Sequence, residues 1–226
     1  AAAGRNCGRR RFLRQWHTMK SESAYGAGSP QAMSEDRPLI PVAISARHAH
    51  LSQESIERLF GAGYRLRERA PLKQTGQFAA EETVTLVGPR GRIENVRLIG
   101  PPRETDQVEI SRTDEHVLGL DAPVRLSGEL SDTPGITIEG PRGSITLDHG
   151  VIVSLRHIHM SPEDAARLGV HDRQVVRVAV DSEGRDLIFG DVVVRVRPDF
   201  RLELHLDTDE ANAAGLRPGD TVVLLK

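Results

Sequence analysis

Two histidine pairs in this sequence share one eight-residue pattern, RHAHLSQE at 47–54 and RHIHMSPE at 156–163. Each His-x-His follows an apolar run, IPVAI or VIVSL, so it is predicted at the end of a strand. Residues i and i+2 of a strand point to the same face, which lets both imidazoles of one copy reach a single metal ion. One copy alone is equally typical of two solvated strand-end histidines. The repeat, with the same arginine before and the same serine after, favours metal binding at both.

Each predicted metal ion needs a third protein ligand, and two further strand segments offer one. Glu109 lies in DQVEIS, and His205 lies in RLELHL. Both segments precede a Thr-Asp-Glu sequence, but aligning Thr113 with Thr208 places Glu109 opposite Leu204, so a bulge or insertion is needed if the two are equivalent. A surface strand carboxylate and a satisfied core histidine are the alternative interpretations. The remaining histidines are expected to be ordinary surface residues: His17, His116, His149 and His171.

The composition restricts both the metal ligands and the fold. Of 226 residues, 38% are hydrophobic and 27% are charged, and no apolar run is long enough to span a bilayer. Cys7 is the only cysteine, so a metal must be held by histidine and carboxylate. Aromatic residues make up only 4%, and short runs of Val, Ile and Leu are separated by Gly, Pro and Asp. This pattern predicts a mainly β protein.

We predict two small β-barrels of similar plan with short capping α-helices, preceded by a flexible N-terminal extension. The first barrel would comprise 47–155, and the second 37–46 with 156–226, so that the first strand crosses over. Serines that follow the histidine motifs are predicted helix caps, and the two GPRG sequences, at 88–91 and 140–143, predict hairpin turns. The two motifs are expected to meet near the junction of the barrels.

Residues 1–36 are predicted to be a targeting extension and linker. The first 20 residues contain six arginines or lysines and no acid, with four large apolar residues at roughly helical spacing, which is typical of a basic amphipathic helix. A stretch rich in Gly, Ser and Ala follows at 21–30. Three interpretations compete: a docking peptide, a tail without a role or a gene-model extension upstream of Met33, and a membrane or nucleic-acid arm.

Three features together resemble the phosphate propanoyltransferases (phosphotransacylases) of bacterial microcompartments: the doubled histidine motif, GPPR at 100–103 with Glu109 downstream, and the closing GLRPGD at 215–220. The resemblance covers about 38–226. It implies a two-barrel acyltransferase that exchanges coenzyme A and inorganic phosphate on a short acyl group such as propanoyl. It also implies two zinc ions per chain, and Arg103 as the phosphate-binding residue. The implied zinc ligands are His48, His50 and Glu109 for one ion, and His157, His159 and His205 for the other.

The resemblance also implies the surroundings in which the protein works. Acyl-CoA, phosphate and acyl phosphate are the implied ligands, inside a microcompartment of the bacterial cytoplasm that serves propanediol degradation. The N-terminal extension would contact shell or core proteins. We expect a homo-oligomer, and neither a nucleic-acid nor a membrane partner. A groove between the barrels is expected to bind coenzyme A through donors near the motifs: Ser45, Arg97, His205 and Asn212.

The residues suit this chemistry without the resemblance. Three protein ligands leave one zinc position open, as in catalytic sites, and zinc can stabilise a departing thiolate or polarise a thioester carbonyl. Arg103 follows a Pro-Pro turn and offers a bidentate fork for phosphate, although a plain surface arginine is the alternative.

Two other functions remain open at this stage. The spacing from His48 and His50 to Glu54 and Gly61 matches the core of a cupin metal motif, but a cupin places that glutamate on a strand, whereas Glu163 in the second copy is predicted in a helix. A non-catalytic scaffold module of the microcompartment is suggested by the docking-like tail. Six candidate metal ligands argue against it.

Overall fold

The computed structural model describes residues 38–182 and 184–226, and the extension predicted for 1–36 lies outside them. Strands dominate this part of the chain. The strands are β1 Leu39–Ser45, β2 His48–His50, β3 Glu68–Pro71, β4 Phe78–Val87, β5 Arg92–Gly100, β6 Gln107–Ile110, β7 Val124–Arg125, β8 Ile136–Gly140, β9 Gly143–Leu147, β10 Val151–Ser154, β11 His157–Met160, β12 Val175–Val180, β13 Leu187–Val196, β14 Glu203–Asp207 and β15 Thr221–Leu225. The helices are α1 Gln53–Phe60, α2 Arg112–Leu118, α3 Pro162–Leu168 and α4 Thr208–Ala214.

Six strands close into a barrel in the order β1-β14-β11-β13-β12-β15. Alternate side chains of these strands point inward, as the two-residue period of a strand requires. In β1 the buried residues are Ile40 and Val42, and in β15 they are Val222 and Leu224. The branched aliphatic runs of the sequence therefore supply most of the barrel core.

The strands from β2 to β10 form a separate nine-stranded half-barrel. Its order is β7-β10-β6-β2-β5-β4-β8-β9, with β3 paired to β4. Its own apolar core includes Ile56 of α1 and Leu118 of α2. The predicted mainly β fold with two barrel-like halves and short helices is confirmed, one half being a closed barrel and the other a half-barrel. We propose 47–155, and 37–46 with 156–226, as the domain division.

The chain passes between the two sheets twice in the described residues, and each crossing is two residues long. Ala46 and Arg47 lead from β1 of the barrel to β2 of the half-barrel. Leu155 and Arg156 lead from β10 back to β11 of the barrel. Each His-x-His therefore lies on the strand that follows a crossing. This repeated path brings both motifs to the junction of the sheets.

Each of the four helices begins directly after a short strand, namely β2, β6, β11 or β14. The side chain of each N-cap residue accepts a hydrogen bond from the backbone N–H three residues further on. The caps are Ser52, Ser111, Ser161 and Asp207, which confirms the two predicted serine caps. No helix within 38–182 or 184–226 is long and apolar enough to cross a membrane.

The two GPRG sequences form the predicted hairpin turns, and each also packs on the end of a helix. The turn at 140–143 joins β8 to β9. In this turn the backbone N–H of Arg142 donates to the carbonyl oxygen of Leu59 at the end of α1, at 2.9 Å. A Cβ on Gly140 would lie 2.7 Å from the same oxygen, so the close approach requires glycine. The turn at 88–91 repeats both contacts at the end of α2.

Candidate metal centre

His48, His50 and Glu109 form the first histidine-rich group, on two neighbouring strands. β2 and β6 run antiparallel, with His48 directly opposite Glu109. The Nε2 atoms of His48 and His50 lie 3.7 and 3.9 Å from Oε1 of Glu109. One ligand atom from each residue lies within 4.8 Å of the other two. Two imidazoles and a carboxylate at these distances are a donor set that zinc uses.

His157, His159 and His205 form the second group, by the same construction on β11 and β14. The strands are antiparallel, and His157 lies directly opposite His205. The rings of these two are parallel with centroids 4.9 Å apart, and His159 lies 4.6 Å from both. Their ligand atoms also lie within 4.8 Å of one another. The six residues are thus together in the predicted two groups of three, and their role as zinc ligands stays a prediction.

The expected one-residue mismatch between Glu109 and His205 is wrong. Each lies opposite the first histidine of a motif, and each precedes a helix N-cap by two residues, Ser111 or Asp207. No bulge is needed. The alignment of the Thr-Asp-Glu sequences fails because the threonine is the second residue of α2 but the first residue of α4.

The backbone orients the first histidine of each motif. Nδ1 of His48 lies 2.8 Å from the carbonyl oxygen of Ala46, and Nδ1 of His157 lies 2.8 Å from that of Leu155. A carbonyl oxygen can only accept, so each Nδ1 carries the proton and the lone pair of Nε2 stays free. Histidines that bind metals commonly have such a partner for their other nitrogen.

Buried nitrogen atoms without a partner are found in the second group. Among the described residues, both ring nitrogens of His159 and Nε2 of His205 are buried without a hydrogen bond, although Nε2 of His205 lies 3.4 Å from Oε2 of Glu203. The ring of His159 stacks on Phe200 at 3.9 Å, which excludes water from that side. Burying polar atoms without a partner is costly, and a metal ion would provide the missing partner. The residues present therefore fit a bound zinc ion.

Burial keeps most of these histidines neutral. It lowers the pKa of His157, and it lowers the pKa of His159 far below the usual value. Burial and the nearby His157 lower the pKa of His205 to about 3. The pKa of His50 is also well below its usual value, because of burial and of the neighbouring His48. Neutral imidazole is the form that binds a metal.

Glu109 provides the negative charge of the centre. Burial alone would raise the pKa of this carboxyl group, but His48 and His50 hold the pKa well below its usual range. Burial likewise opposes the charged form of His48, yet the attraction of Glu109 outweighs it and raises the pKa of His48. His157 of the second group also lowers the pKa of Glu109, so the two groups act on each other electrostatically.

Arg103 lies beside the first group in a hydrogen-bonded network. Its guanidinium donates to Oγ of Ser127 at 3.1 Å. Gln107 donates to the same Oγ at 2.9 Å and to Oε1 of Glu109 at 2.6 Å. The network therefore links the predicted phosphate-binding arginine to a predicted zinc ligand. Gln107 and Ser127 were missed from the sequence, although Gln107 lies two residues before Glu109 and so on the same face of β6.

Arg195 is a second arginine of the site that the sequence did not reveal. It lies on β13 directly opposite His159, so both side chains leave the same face of the barrel sheet. Its guanidinium carbon lies 5.7 Å from the centroid of Phe200. Burial is the main cause of the lowered pKa values of His205 and Arg103, and the charge of Arg195 contributes to both, so Arg195 lies near both. In the described residues neither Arg103 nor Arg195 has an ion-pair partner.

The residues predicted for coenzyme A have different surroundings. Oγ of Ser45 lies 3.5 Å from Nδ1 of His205, beside the second group. Arg97 lies directly opposite His48 on the neighbouring strand, and its guanidinium donates to two carbonyl oxygens of β4. Asn212 is exposed on α4, and its carbonyl oxygen accepts from Arg185. Their role in coenzyme A binding stays a prediction.

A cavity of about 640 Å³ opens beside Arg103. Its lining includes Gln107 of the network and the apolar side chains of Pro102 and Leu130. The cavity thus joins a cationic group to apolar surface, and the carboxylate of Glu104 also lines it. It is large enough for a small acyl phosphate.

The fold and the site define a class of protein: a β protein of two halves with two candidate metal-binding groups, near two arginines that lack ion-pair partners in the described residues. Residues 41–217 match the family model described as phosphate propanoyltransferase. Curated proteins of that name are 57% identical in Thermotoga maritima (84% of this chain, 90% of the relative), 58% in Citrobacter rodentium (80% and 85%) and 56% in Salmonella typhimurium (78% and 83%). The chain belongs to the phosphate propanoyltransferase family and is an acyltransferase.

This membership does not support the two other functions considered above. The glutamates of the cupin-like spacing, Glu54 and Glu163, lie in α1 and α3 and belong to neither metal-binding group. A scaffold without activity does not need a group of buried histidines in which both ring nitrogens of His159 lack a hydrogen bond.

Proposed function

We propose that this enzyme transfers a short acyl group between coenzyme A and inorganic phosphate, converting propanoyl-CoA and phosphate to propanoyl phosphate and coenzyme A. The two groups of three ligands beside unpaired arginines carry this proposal. A thioester, its thiolate product and phosphate are the ligands that such a combination of metal and cationic groups suits. The family membership supports the same reaction.

Each group of three would hold one zinc ion, two per chain. The fit rests on the two unpartnered ring nitrogens of His159 and on the Nδ1 contacts that leave Nε2 free in His48 and His157. Zinc bound there would supply a Lewis acid that stabilises a thiolate or polarises a carbonyl oxygen. The chain itself contributes ionised Glu109 and, apart from His48, imidazoles that burial favours in the neutral form, which are the protonation states that metal binding requires.

Arg103 and Arg195 would bind the phosphate. Phosphate is a weak nucleophile in water, because its charge is strongly hydrated, and it must be oriented and partly desolvated. Both guanidinium groups are only partly exposed and free of carboxylate partners, so their charge is available to an incoming anion. Ser127 fixes the position of Arg103 through its hydroxyl group. Phosphate would thus be held next to the first group.

We further propose how the enzyme contacts coenzyme A and its macromolecular partners. Coenzyme A would lie in the groove between the halves, with Ser45, Arg97, His205 and Asn212 as donors or neighbours. The extension at 1–36 would bind shell or core proteins of a microcompartment in the bacterial cytoplasm, in a pathway of propanediol degradation. A homo-oligomer without nucleic-acid or membrane partners completes the proposal.

A thiol assay tests the reaction. Purified full-length protein with bound zinc should release free coenzyme A from propanoyl-CoA only when phosphate is present, and acyl phosphate should accumulate in equal amount. A strong chelator should abolish this release, and added zinc should restore it. Release of coenzyme A at the same rate without phosphate would identify a thioesterase and contradict the proposed transfer.

A further inference from the structure

The arginine that precedes each His-x-His takes no part in the proposed chemistry, yet both copies make the same contact. Nε of Arg47 lies 2.9 Å from Oδ1 of Asp114, and Nε of Arg156 lies 2.5 Å from Oε1 of Glu210. The partner of Arg47 is almost fully buried, with 2% of its side chain exposed. Both arginines lie in the two-residue crossings between the sheets.

The two carboxylates have equivalent positions. Asp114 closes the capping box of α2 by accepting from the backbone N–H of Ser111, at 3.1 Å. Glu210 closes the capping box of α4 by accepting from the backbone N–H of Asp207, at 3.1 Å. Each N-cap follows a third ligand by two residues. Each ion pair therefore joins the start of a His-x-His strand to the end of the strand that carries the third ligand.

We propose that Arg47 and Arg156 are positioning residues for metal binding, because each fixes the distance between the first two ligands and the third. The strand pairs concerned are short, with three residues of β2 facing β6 and three of β11 facing β14. Few ladder hydrogen bonds resist a shift of one strand along the other. An ion pair across the end of each pair holds the register that places His48 against Glu109, and His157 against His205.

Arg156, in the second copy of the motif, makes more contacts than Arg47 in the first. Arg156 also donates to the carbonyl oxygen of Gly190 at 2.9 Å, and its guanidinium lies 5.4 Å from the ring centroid of Phe189. In the described residues the ion pair with Asp114 is the one polar contact of the Arg47 side chain, of which 42% is exposed. Loss of Arg156 should therefore affect its metal ion more than loss of Arg47 affects the other.

Competition between the protein and a chelator tests this inference. Arg156→Gln should lower the zinc affinity of the second group about 10-fold or more, and Arg47→Gln that of the first group. This is the effect of losing a residue that orients a ligand. When cobalt replaces zinc, the visible spectrum of each variant should differ from that of wild type only in the bands of the affected group. Arg156→Lys should recover part of the affinity. Burial and the neighbouring Asp207 raise the pKa of Glu210 to about 7. The measurement should therefore be made at pH 8, where Glu210 is ionised.

Arg167→Gln is the matched control. Arg167 pairs with Asp164 at 2.6 Å, and Asp164 is likewise the third residue of a capped helix, but both residues lie on α3 and connect no strands. Equal zinc affinities in wild type, Arg156→Gln and Arg47→Gln would overturn the inference, as would the same loss in Arg167→Gln. If Arg156→Gln fails to fold, Arg47→Gln and Glu210→Gln test the positioning role instead.

The inference rests on the proposed metal sites, and different results would contradict the metal sites and the positioning role. Wild-type protein that binds no zinc or cobalt would contradict the metal sites themselves. Wild-type protein with two tightly bound ions, and variants with the same two affinities, would contradict only the positioning role.

Discussion

Arg103 and Arg195 carry two positive charges to a site that already contains five histidines and two buried carboxylates, Glu109 and Glu203. In the described residues neither guanidinium has an ion-pair partner, and Arg103 has only the neutral hydroxyl of Ser127. Burial disfavours the charged form of both guanidinium groups and lowers their pKa values, and the attraction of Glu109 offsets only part of this effect. A bound anion would add to that attraction, which supports the proposed binding of phosphate.

Replacement of Arg103 by lysine separates phosphate binding from metal binding. The charge is retained but the bidentate fork is lost, so transition-state stabilisation should fall by roughly 1.5–3 kcal/mol, the range for hydrogen bonds to charged groups. The loss should appear in kcat/KM for phosphate more than in the KM for acyl-CoA, with zinc content unchanged. Arg92→Lys, at an exposed ion pair with Glu139, is the control and should change neither.

Normal phosphate kinetics with weakened acyl-CoA binding in Arg103→Lys would give a different answer. Arg103 would then contact coenzyme A, and Arg195 alone would remain for phosphate.

The repeated residues could be predicted directly, and Glu109, His205 and Arg103 were predicted from their segments and from the family resemblance, but three other site residues were missed. The four motif histidines could be predicted because two copies share one pattern. Strand periodicity then places both histidines of a pair on the same face, where they can bind one ion. Gln107, Ser127 and Arg195 have no counterpart in a repeat, and each belongs to an ordinary strand or turn. Their importance depends on cross-strand partners, such as His159 opposite Arg195, and these follow from strand pairing rather than from local sequence.

Among the elements, the short strand followed at once by a capped helix is the unit that builds the site. Four such units occur, and each carries one or two of the six candidate ligands. Helix caps and hairpin turns could be predicted from local residues, because serine caps and glycine turns act within a few residues. The register of Glu109 against His48 could not, because likeness between two helix starts does not fix which residue is the cap.

A glycine in one hairpin turn tests how α1 is held against the half-barrel. Gly140→Ala would place a Cβ 2.7 Å from the carbonyl oxygen of Leu59, which cannot move without disturbing α1. We expect the free energy of unfolding in urea to fall by about 1–3 kcal/mol, as for other overpacked positions. Gly190→Ala is the control, since nothing lies within 4 Å of its added Cβ. Equal stability of the two variants would show that the turn does not support the helix.

Across the whole molecule, the two crossings of the chain explain why one site contains ligands from distant parts of the sequence. After each crossing the chain enters the other sheet, and the first strand there carries a His-x-His. Both motifs therefore lie where the sheets meet. The mainly β fold was predictable from composition. That one half closes while the other stays a half-barrel was not, because closure depends on strand pairing between residues far apart in sequence, such as β1 with β14.

Deletion of residues 1–32 tests whether the extension serves location rather than catalysis. All six candidate ligands and both arginines lie in the described part of the chain, so turnover of propanoyl-CoA by the truncated protein should stay within about twofold of the full chain. Co-purification with microcompartment shell particles should be lost. Unchanged packaging would contradict the targeting role, and lost turnover in a folded protein would show that the extension contributes to the site.

The zinc content of the purified protein tests the central claim most directly. With two groups of three ligands, elemental analysis should find about two zinc per chain in wild type, about one in His48→Ala and in His157→Ala, and about two in the exposed-residue control His171→Ala. Both ligand variants should also lose phosphate-dependent release of coenzyme A. A fully active wild-type enzyme with no zinc, or a His157→Ala variant that keeps two zinc ions and full activity, would contradict the proposed centre.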